Sequence, residues 1–412
     1  MIALLSRPSS AADAAVQTVD FIRANLANAV SMLSVQPMSS YGVDNHVEYR
    51  PLERFVFAVT PFNFVSMNNL ALGPALLGNT VLWKPAESAS LVAHLTMELL
   101  REAGLPDGVI NVVYGDGAEI GEVALKHRDL AGVAFTGSTG TFQHIWRTVG
   151  ANISSYRNYP RVVGETGGKD FVLAHHSADI DALATACIRG AYEYQGQKCA
   201  AASRLYAPRS IWPHLRDRLV DLTRSVVVGD PAKAETYVGA VINARQFAKH
   251  DAALARARAE GVVVVGGRTD ASTGWFVDPT LLEVTDPFSA FMTEELFAPI
   301  LTAYVYDDAD WENTLRLVDE TSEYGLTGAV FATDEPALAQ ADAALRYTAG
   351  NYYVNDKPSV AAVGYQPFGG ARASGTNDKA GTVWNLVRFV SPRTVKRNHQ
   401  PPRDYRYPHL EP

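Results

Sequence analysis

The sequence predicts an α/β fold built on parallel sheets, and three observations carry that prediction. From Leu52 onward, short apolar β-branched runs alternate with longer segments of helical period, which is the form βαβ units take in sequence. Several of the runs, such as residues 80–83, are apolar throughout rather than alternating, as expected of strands covered on both faces. The chain has 412 residues, 47% of them hydrophobic, which at about 150 residues per domain supplies two or three buried cores.

Taken in order, residues 1–51 stand apart: an Ala-rich helix over 11–30 is followed by a polar, turn-rich stretch to Tyr49. Residues 55–59 then read as a strand, 65–77 as a helix closed by Gly78-Asn79, and 80–83 as a second strand. Ser88 is placed to cap a helix over 91–103, whose stop signal is Gly104 followed by Pro106. Strands over 109–114 and 131–135 repeat the pattern, each with a helical stretch after it. A second alternating region starts near Phe171. There Ile180, Leu183, Ala184, Cys187, Ile188 and Ala191 mark one face of a buried helix. Later strands are expected at 262–265, 300–306, 328–332 and 352–354, and helices at 211–226, 311–321 and 336–347. The Pro-, Arg- and Tyr-rich tail from Pro392 reads as an extended surface arm. No repeat of solenoid period is visible.

Composition excludes several classes. A net charge of −8, spread along the chain, argues against a phosphate-backbone binder, which needs clustered Lys and Arg. Gly 31 and Pro 22 are ordinary usage and rule out a collagen-like chain. Two cysteines, Cys187 and Cys199, are too few for a disulfide framework or a Cys-based zinc site, so no metal is expected. No apolar run approaches the roughly 18–20 residues of a membrane helix, and the start of the chain lacks the apolar core of about 7–15 residues of a signal peptide. A soluble, cytoplasmic protein is the expectation.

Five local motifs are candidates for chemistry, each with a plainer reading beside it. Gln195-Gly196-Gln197-Lys198-Cys199 puts a thiol after a helix in a polar loop, where it is either a nucleophile of lowered pKa or a small buried hydrophobe. Cys187, on the apolar helix face, is structural. Glu165, among the glycines of Gly164-Glu165-Thr166-Gly167-Gly168, is a general base or a solvated turn residue. Phe135-Thr136-Gly137-Ser138 follows a strand and opens a helix, which suits either a phosphate or a plain turn. It is not a G-x-G-x-x-G fingerprint. Trp83-Lys84-Pro85-Ala86-Glu87 occupies a strand end where nucleotide contacts occur, or is simply a helix start. Asn63, ending the first strand, donates to an oxyanion or forms an Asx-turn.

The order and spacing of these motifs are more specific than any one of them. Asn63, Lys84, Glu87, Ser138, Glu165, Cys199, Glu295, Phe297 and the Pro367-Phe368-Gly369-Gly370 block follow one another as in the aldehyde dehydrogenase family, a resemblance covering residues 52–391. The wording of Glu193-Tyr-Gln-Gly-Gln-Lys-Cys199, Asn355-Asp-Lys357 and Gly369-Gly-Ala-Arg-Ala-Ser-Gly-Thr-Asn-Asp378 is similar to its 1-pyrroline-5-carboxylate dehydrogenase branch. The resemblance implies NAD-dependent oxidation of L-glutamate γ-semialdehyde to L-glutamate through a Cys199 thioester, in proline degradation. It implies that Asn63 and the Cys199 N–H hold the oxyanion and that Glu165 activates water. Lys84 and Glu87 would bind the adenosine ribose, Ser138 the pyrophosphate and Glu295 the nicotinamide ribose, with Phe297 packing against the cofactor and Gly167 also among the cofactor-binding residues.

Phe64 and Phe368 correspond to the aromatic walls around the substrate. Ala200, Val360 and Ala361 stand where the branch has Ser after the nucleophile and a Gly in the loop that grips the substrate. Ala298 replaces the usual Gly. These departures keep a second reading open, another aliphatic ω-semialdehyde. Members also carry a longer stretch before the 11–30 helix, so the cofactor lobe is expected to be incomplete at its start, with apolar surface exposed. That keeps a non-catalytic chain open as a third reading. The implied division is a cofactor lobe over 1–34 and 53–167, a catalytic lobe over 168–374, and an oligomerisation hairpin and arm over 35–52 and 388–412. A homodimer or larger assembly is expected, without nucleic-acid or membrane partners.

Overall fold

A computed structural model describes residues 8–407 and 409. The outermost parts of the first and last assigned segments, and the reading of the first residues as lacking a signal peptide, lie outside these. The chain opens with α1 (Pro8–Leu33) and β1 (Val43–Pro51). A run of βαβ units follows: β2 (Phe55–Thr60), α2 (Asn69–Leu76), β3 (Thr80–Pro85), α3 (Ser90–Glu102), β4 (Ile110–Val112), α4 (Gly117–Lys126), β5 (Leu130–Thr136), α5 (Thr139–Ala151) and β6 (Arg161–Glu165).

The five strands β2 to β6 pair in parallel in the order β4-β3-β2-β5-β6. Side chains alternate across the sheet and are buried on both faces. Val56, Ala58, Val81 and Trp83 pack with Met32 of α1 and Met97 of α3, while Phe57, Val133 and Phe135 pack with Phe142 and Ile145 of α5. The strand order reverses between β2 and β5, and in open parallel sheets such a switch point opens a crevice at the carboxyl ends of the strands. Residues 61–64 and 137–138 leave the sheet there.

The second sheet begins with β7 (Asp170–Ala174), α6 (Ile180–Tyr192), β8 (Ala202–Pro208), α7 (Trp212–Ser225), α8 (Ala244–Ala259) and β9 (Val263–Val265). A small antiparallel pair, β10 (Thr269–Asp270) and β11 (Phe276–Val277), precedes β12 (Thr280–Val284) and β13 (Ile300–Tyr306). Next come β14 (Tyr324–Gly325), β15 (Thr327–Phe331), β16 (Asn351–Val354), β17 (Ala371–Arg372) and finally β18 (Val390–Asn398). Seven strands lie in the order β16-β15-β7-β8-β13-β12-β9, all parallel except β9. The face of α6 read from the sequence is buried against this sheet. Burial there pushes the Cys187 thiol up to about 12, which suits a structural cysteine.

Three expectations need correction. Ser88 does not cap α3: it lies inside a short 3-10 turn, Glu87–Ala89, and the helix starts at Ser90 with no side-chain cap. Residues 35–52 do not close a local hairpin ladder. Instead β1 pairs antiparallel with β18 over nine residue pairs, from Val43 opposite Asn398 to Pro51 opposite Val390. The long-range partner offers a full ladder, whereas residues 35–40 reach β1 mainly through side chains, such as Gln36 on Val47 and the Tyr49 hydroxyl on the Val35 carbonyl. The apolar surface expected to lie open on the parallel sheet is not found among the described residues, both faces of that sheet being covered; exposed leucines, Leu91, Leu95 and Leu99, stand instead along α3.

The two sheets approach each other where the site residues fall. Glu165 ends β6, Gly167 and Gly168 lead into β7, Cys199 precedes β8, and Glu295 precedes β13. The carboxyl edge of the first sheet thus faces the amino edge of the second. Residues 374–376 clamp the junction: Thr376 and Gly164 exchange hydrogen bonds, and Gly375 bridges Glu165.

Candidate active site

The loop that presents Cys199 leaves α6 through three successive left-handed residues: Tyr194 at φ 60°, Gln195 at φ 59° and Gly196 at φ 64°. A Cβ on Gly196 would lie 2.2 Å from the Ala298 carbonyl oxygen, so only glycine fits that crossing. Glu193 Oε2 holds the loop from both sides, 3.1 Å from Lys198 Nζ and 2.7 Å from Lys357 Nζ. The three side chains are each less than one-fifth exposed, so this pair is screened less than a surface one. Gln197 completes the anchorage: its Oε1 accepts from Ile242 N, and its carbonyl accepts from Asn63 Nδ2 at 2.9 Å.

Cys199 Sγ donates to Glu165 Oε1 at 3.4 Å. Burial pushes the Glu165 carboxyl up to about 7, while the Cys199 thiol and the Lys379 ammonium draw it down. Burial, and then Glu165 itself, push the thiol well above its ordinary range. Lys379 is fixed nearby by donating to the Gly350 and Gly369 carbonyls at 2.6 and 2.9 Å.

Two cavities meet at Cys199. The larger, about 740 Å³, runs from Lys84 and Leu125 past Ser138 to Glu295, Phe297 and Cys199, within the range of about 300–1,000 Å³ typical of small-molecule and cofactor sites. The smaller, about 120 Å³, lies on the other side of Phe64 and Met67 and is walled by Phe21, Ala200, Ala361 and Phe368. Phe64 is held flat against Tyr194, with ring centroids 5.7 Å apart.

The walls of the larger cavity are built for a ligand. A Cβ on Gly167 would lie 2.2 Å from Glu295 Oε2, and Gly168 N donates to Glu295 Oε1 at 3.0 Å. The paired glycines therefore admit this carboxylate. Lys249 Nζ donates to the Glu295 carbonyl at 2.7 Å, and His250 Nε2 lies 3.1 Å from the Leu296 carbonyl, so α8 pins the turn on which Phe297 takes φ 60°. Phe297 meets Phe62 edge-on at 6.1 Å. At the first sheet's carboxyl edge, Ser138 caps α5, accepting from Thr141 N.

Of the residues singled out from the sequence, Asn63, Lys84, Ser138, Gly167, Cys199, Glu295 and Phe297 line the larger cavity. Phe64 lines both cavities, and Ala200, Ala361 and Phe368 line the smaller one. Two fall elsewhere. Glu87 is exposed at the start of its 3-10 turn, and the Val360 side chain packs onto the second sheet's core while its neighbours Ser359 and Ala361 face the cavity. Lys379, Lys249 and Asp116 were not read from the sequence. Each reaches the site from a distant helix or loop, with no local motif to mark it. Among the described residues, no cluster of His, Cys, Asp and Glu is suited to hold a metal ion.

Residues 5–395 match the family model described as the aldehyde dehydrogenase family. The chain is 46% identical over 403 residues to the mitochondrial delta-1-pyrroline-5-carboxylate dehydrogenase of Bos taurus, covering 97% of this chain and 72% of that protein. The structure is similar to that of the delta-pyrroline-5-carboxylate dehydrogenase from Mycobacterium tuberculosis bound with NAD, with a TM-score of 0.91 and 50% identity, covering 96% of this chain and 73% of that one. It is also similar to the 1-pyrroline-5-carboxylate dehydrogenase from Thermus with bound NAD, with a TM-score of 0.89 and 31% identity, covering 96% and 76%.

Proposed function

Because the chain belongs to the aldehyde dehydrogenase family, we propose that it oxidises L-glutamate γ-semialdehyde, the open form of 1-pyrroline-5-carboxylate, to L-glutamate with NAD, as a step of proline degradation. The observation that carries the reading is the position of Cys199, hydrogen-bonded to Glu165 where a cofactor-sized cavity meets a small one.

The larger cavity fits a dinucleotide by the chemistry of its walls. Lys84 stands at one end, Ser138 and the amino end of α5 in the middle, and the carboxylate of Glu295 in a cleft that only glycine leaves open. A helix amino end favours anionic groups, and a carboxylate suits ribose hydroxyls. The oxidised nicotinamide of NAD, when bound, supplies a positive charge near the thiol and accepts the hydrogen and electron pair of the aldehyde C–H. Every other task falls to the chain.

Glu165, 3.4 Å from Sγ, takes the thiol proton. The thiolate attacks the aldehyde carbon, and the negative charge that develops on oxygen is met by the second amide N–H of Asn63 and the Cys199 N–H. Loss of the C–H as hydride turns the tetrahedral thiohemiacetal into a thioester. Glu165 passes the thiol proton to solvent and, a carboxylate again, draws a proton from water as it attacks the thioester carbon, and the Cys199 thiolate leaves. Phe64 and Phe368 bracket the aliphatic chain in the smaller cavity.

The apolar walls contributed by Ala200 and Ala361 favour a second reading, a related ω-semialdehyde, which comparison of kcat/KM for glutamate and succinate semialdehydes would separate. For lobe boundaries we propose 1–34 with 53–167, and 168–374, supported by the change of sheet after β6. We assign the β1–β18 ribbon to association of copies, since the outer edge of β18 is open to pairing, whereas that of β1 is met by residues 36–40. We infer a reducing compartment such as the cytoplasm, since the nucleophile must stay a thiol; the bovine relative is named as mitochondrial. Among the described residues, no helix is long and apolar enough to cross a membrane.

The test is NADH formation. Purified chain given 1-pyrroline-5-carboxylate and NAD should yield NADH and glutamate, and Cys199→Ala should yield neither. Binding of NAD without turnover of any short semialdehyde would overturn the reading.

A further inference from the structure

At the end of the large cavity remote from Cys199, the amino terminus of α4 carries an arrangement that the motifs did not reveal. Asp116 is the N-cap of this helix: its Oδ1 accepts from Ala118 N at 2.8 Å and from Glu119 N at 3.1 Å. Those bonds fix the carboxylate on the cavity wall, beside Lys84. Lys84 is itself nearly buried, and its Nζ lies 3.3 Å from the point a Cβ on Gly117 would occupy. The ammonium therefore rests on the first turn of a helix, where the macrodipole disfavours a cation. Asp116 offsets that, and each of the two groups feels the other's charge. The absent side chain at Gly117 leaves room between lysine and helix end for a ligand's own groups. Among the described residues of this wall, Asp116 is present and Glu87 is not.

We propose that Asp116 is the residue that restricts this site to nucleotides with a free 2′-hydroxyl. A ribose hydroxyl seated against Lys84 can donate to the Asp116 carboxylate. A 2′-phosphate in the same place brings about two negative charges against a fixed third, and the single positive charge of Lys84, already felt by Asp116, does not neutralise it. The inference rests on the dinucleotide reading of the cavity. It places the discrimination on a different strand-to-helix junction from Glu87, which the sequence resemblance set against the ribose.

The test uses binding by the whole chain, measured calorimetrically for NAD and NADP, so that turnover is not the readout. Asn caps helices as well as Asp does, so Asp116→Asn removes the charge and keeps the fold of the turn, which an unchanged melting temperature would verify. The expected result is an NADP-to-NAD ratio of dissociation constants that falls about tenfold, the scale of one screened charge pair. Adding Lys84→Met should reverse most of that gain. Glu87→Gln should move the ratio less than Asp116→Asn does. An unchanged ratio in Asp116→Asn, or a larger change in Glu87→Gln, overturns the proposal while leaving the dinucleotide reading intact. Failure of the unmodified chain to bind NAD overturns both.

Discussion

Glu165 must do two things, and its surroundings suit both. A carboxyl raised to about 7 by burial is poised to exchange protons near neutrality, where general bases are most effective. Deacylation needs the carboxylate, and the raised value leaves only about a tenth of it ionised one pH unit below its midpoint. We therefore expect kcat to climb between pH 6 and 8 with an inflection near 7, read from the pH dependence of NADH formation; a flat profile across that range would contradict the assignment. Lys379 favours the ionised form, so Lys379→Met should shift the inflection to higher pH and Lys379→Arg should largely restore it. Cys199 and Glu165 stood out in the sequence as candidates with two readings each, and it was their order among the other motifs, the family resemblance, that favoured the catalytic one. Lys379 and Asp116 did not stand out: they matter only because the folded chain brings them to Glu165 and Lys84.

The elements that position these residues are held by a few buried polar ties. Asn79, 1% exposed, accepts from Leu52 N and donates to the Pro74 and Phe389 carbonyls, binding the entrance of β2, the end of α2 and the approach to β18. Asn79→Ala should cost about 1–3 kcal/mol for each partner left unsatisfied, a loss chemical denaturation would register directly; an unchanged midpoint would contradict this account of the junction. Gly196→Ala should be worse for function than for stability, because the clash with Ala298 is relieved only by moving the loop that carries Cys199. A fall in kcat larger than the change in KM is the expected sign. At this scale the sequence was a good guide wherever apolar runs were long: β13 falls on residues 300–306 as expected, and β2, β3 and α6 lie within two residues of their expected bounds. It missed β12, five residues with no alternating pattern, and it misjudged β1, whose partner lies at the far end of the chain. Local patterns carry no record of such pairing.

Across the whole molecule, the arrangement works because two sheets meet edge to edge, one presenting its carboxyl ends and the other its amino ends. That meeting places Cys199 and Glu165, the proposed nucleophile and base, where two cavities meet. The fold class was readable from the βαβ alternation; the junction was not, since it depends on residues 374–376 returning to clamp β6. The β1–β18 ribbon projects the open outer edge of β18, and light scattering should find the chain as a dimer or larger species, with Lys396→Pro shifting it toward monomer. A monomeric unmodified chain would remove the ribbon from that role. The central claim is that Cys199 carries the acyl group and Glu165 releases it. Glu165→Gln, mixed with NAD and 1-pyrroline-5-carboxylate and quenched after one turnover, tests it by mass spectrometry of the digested chain. The account predicts NADH rising, more slowly for want of the base that takes the thiol proton, to close to one equivalent and then stopping, with the acyl mass retained on the peptide containing Cys199. Steady turnover at the unmodified rate, or an adduct on any other residue, would contradict it.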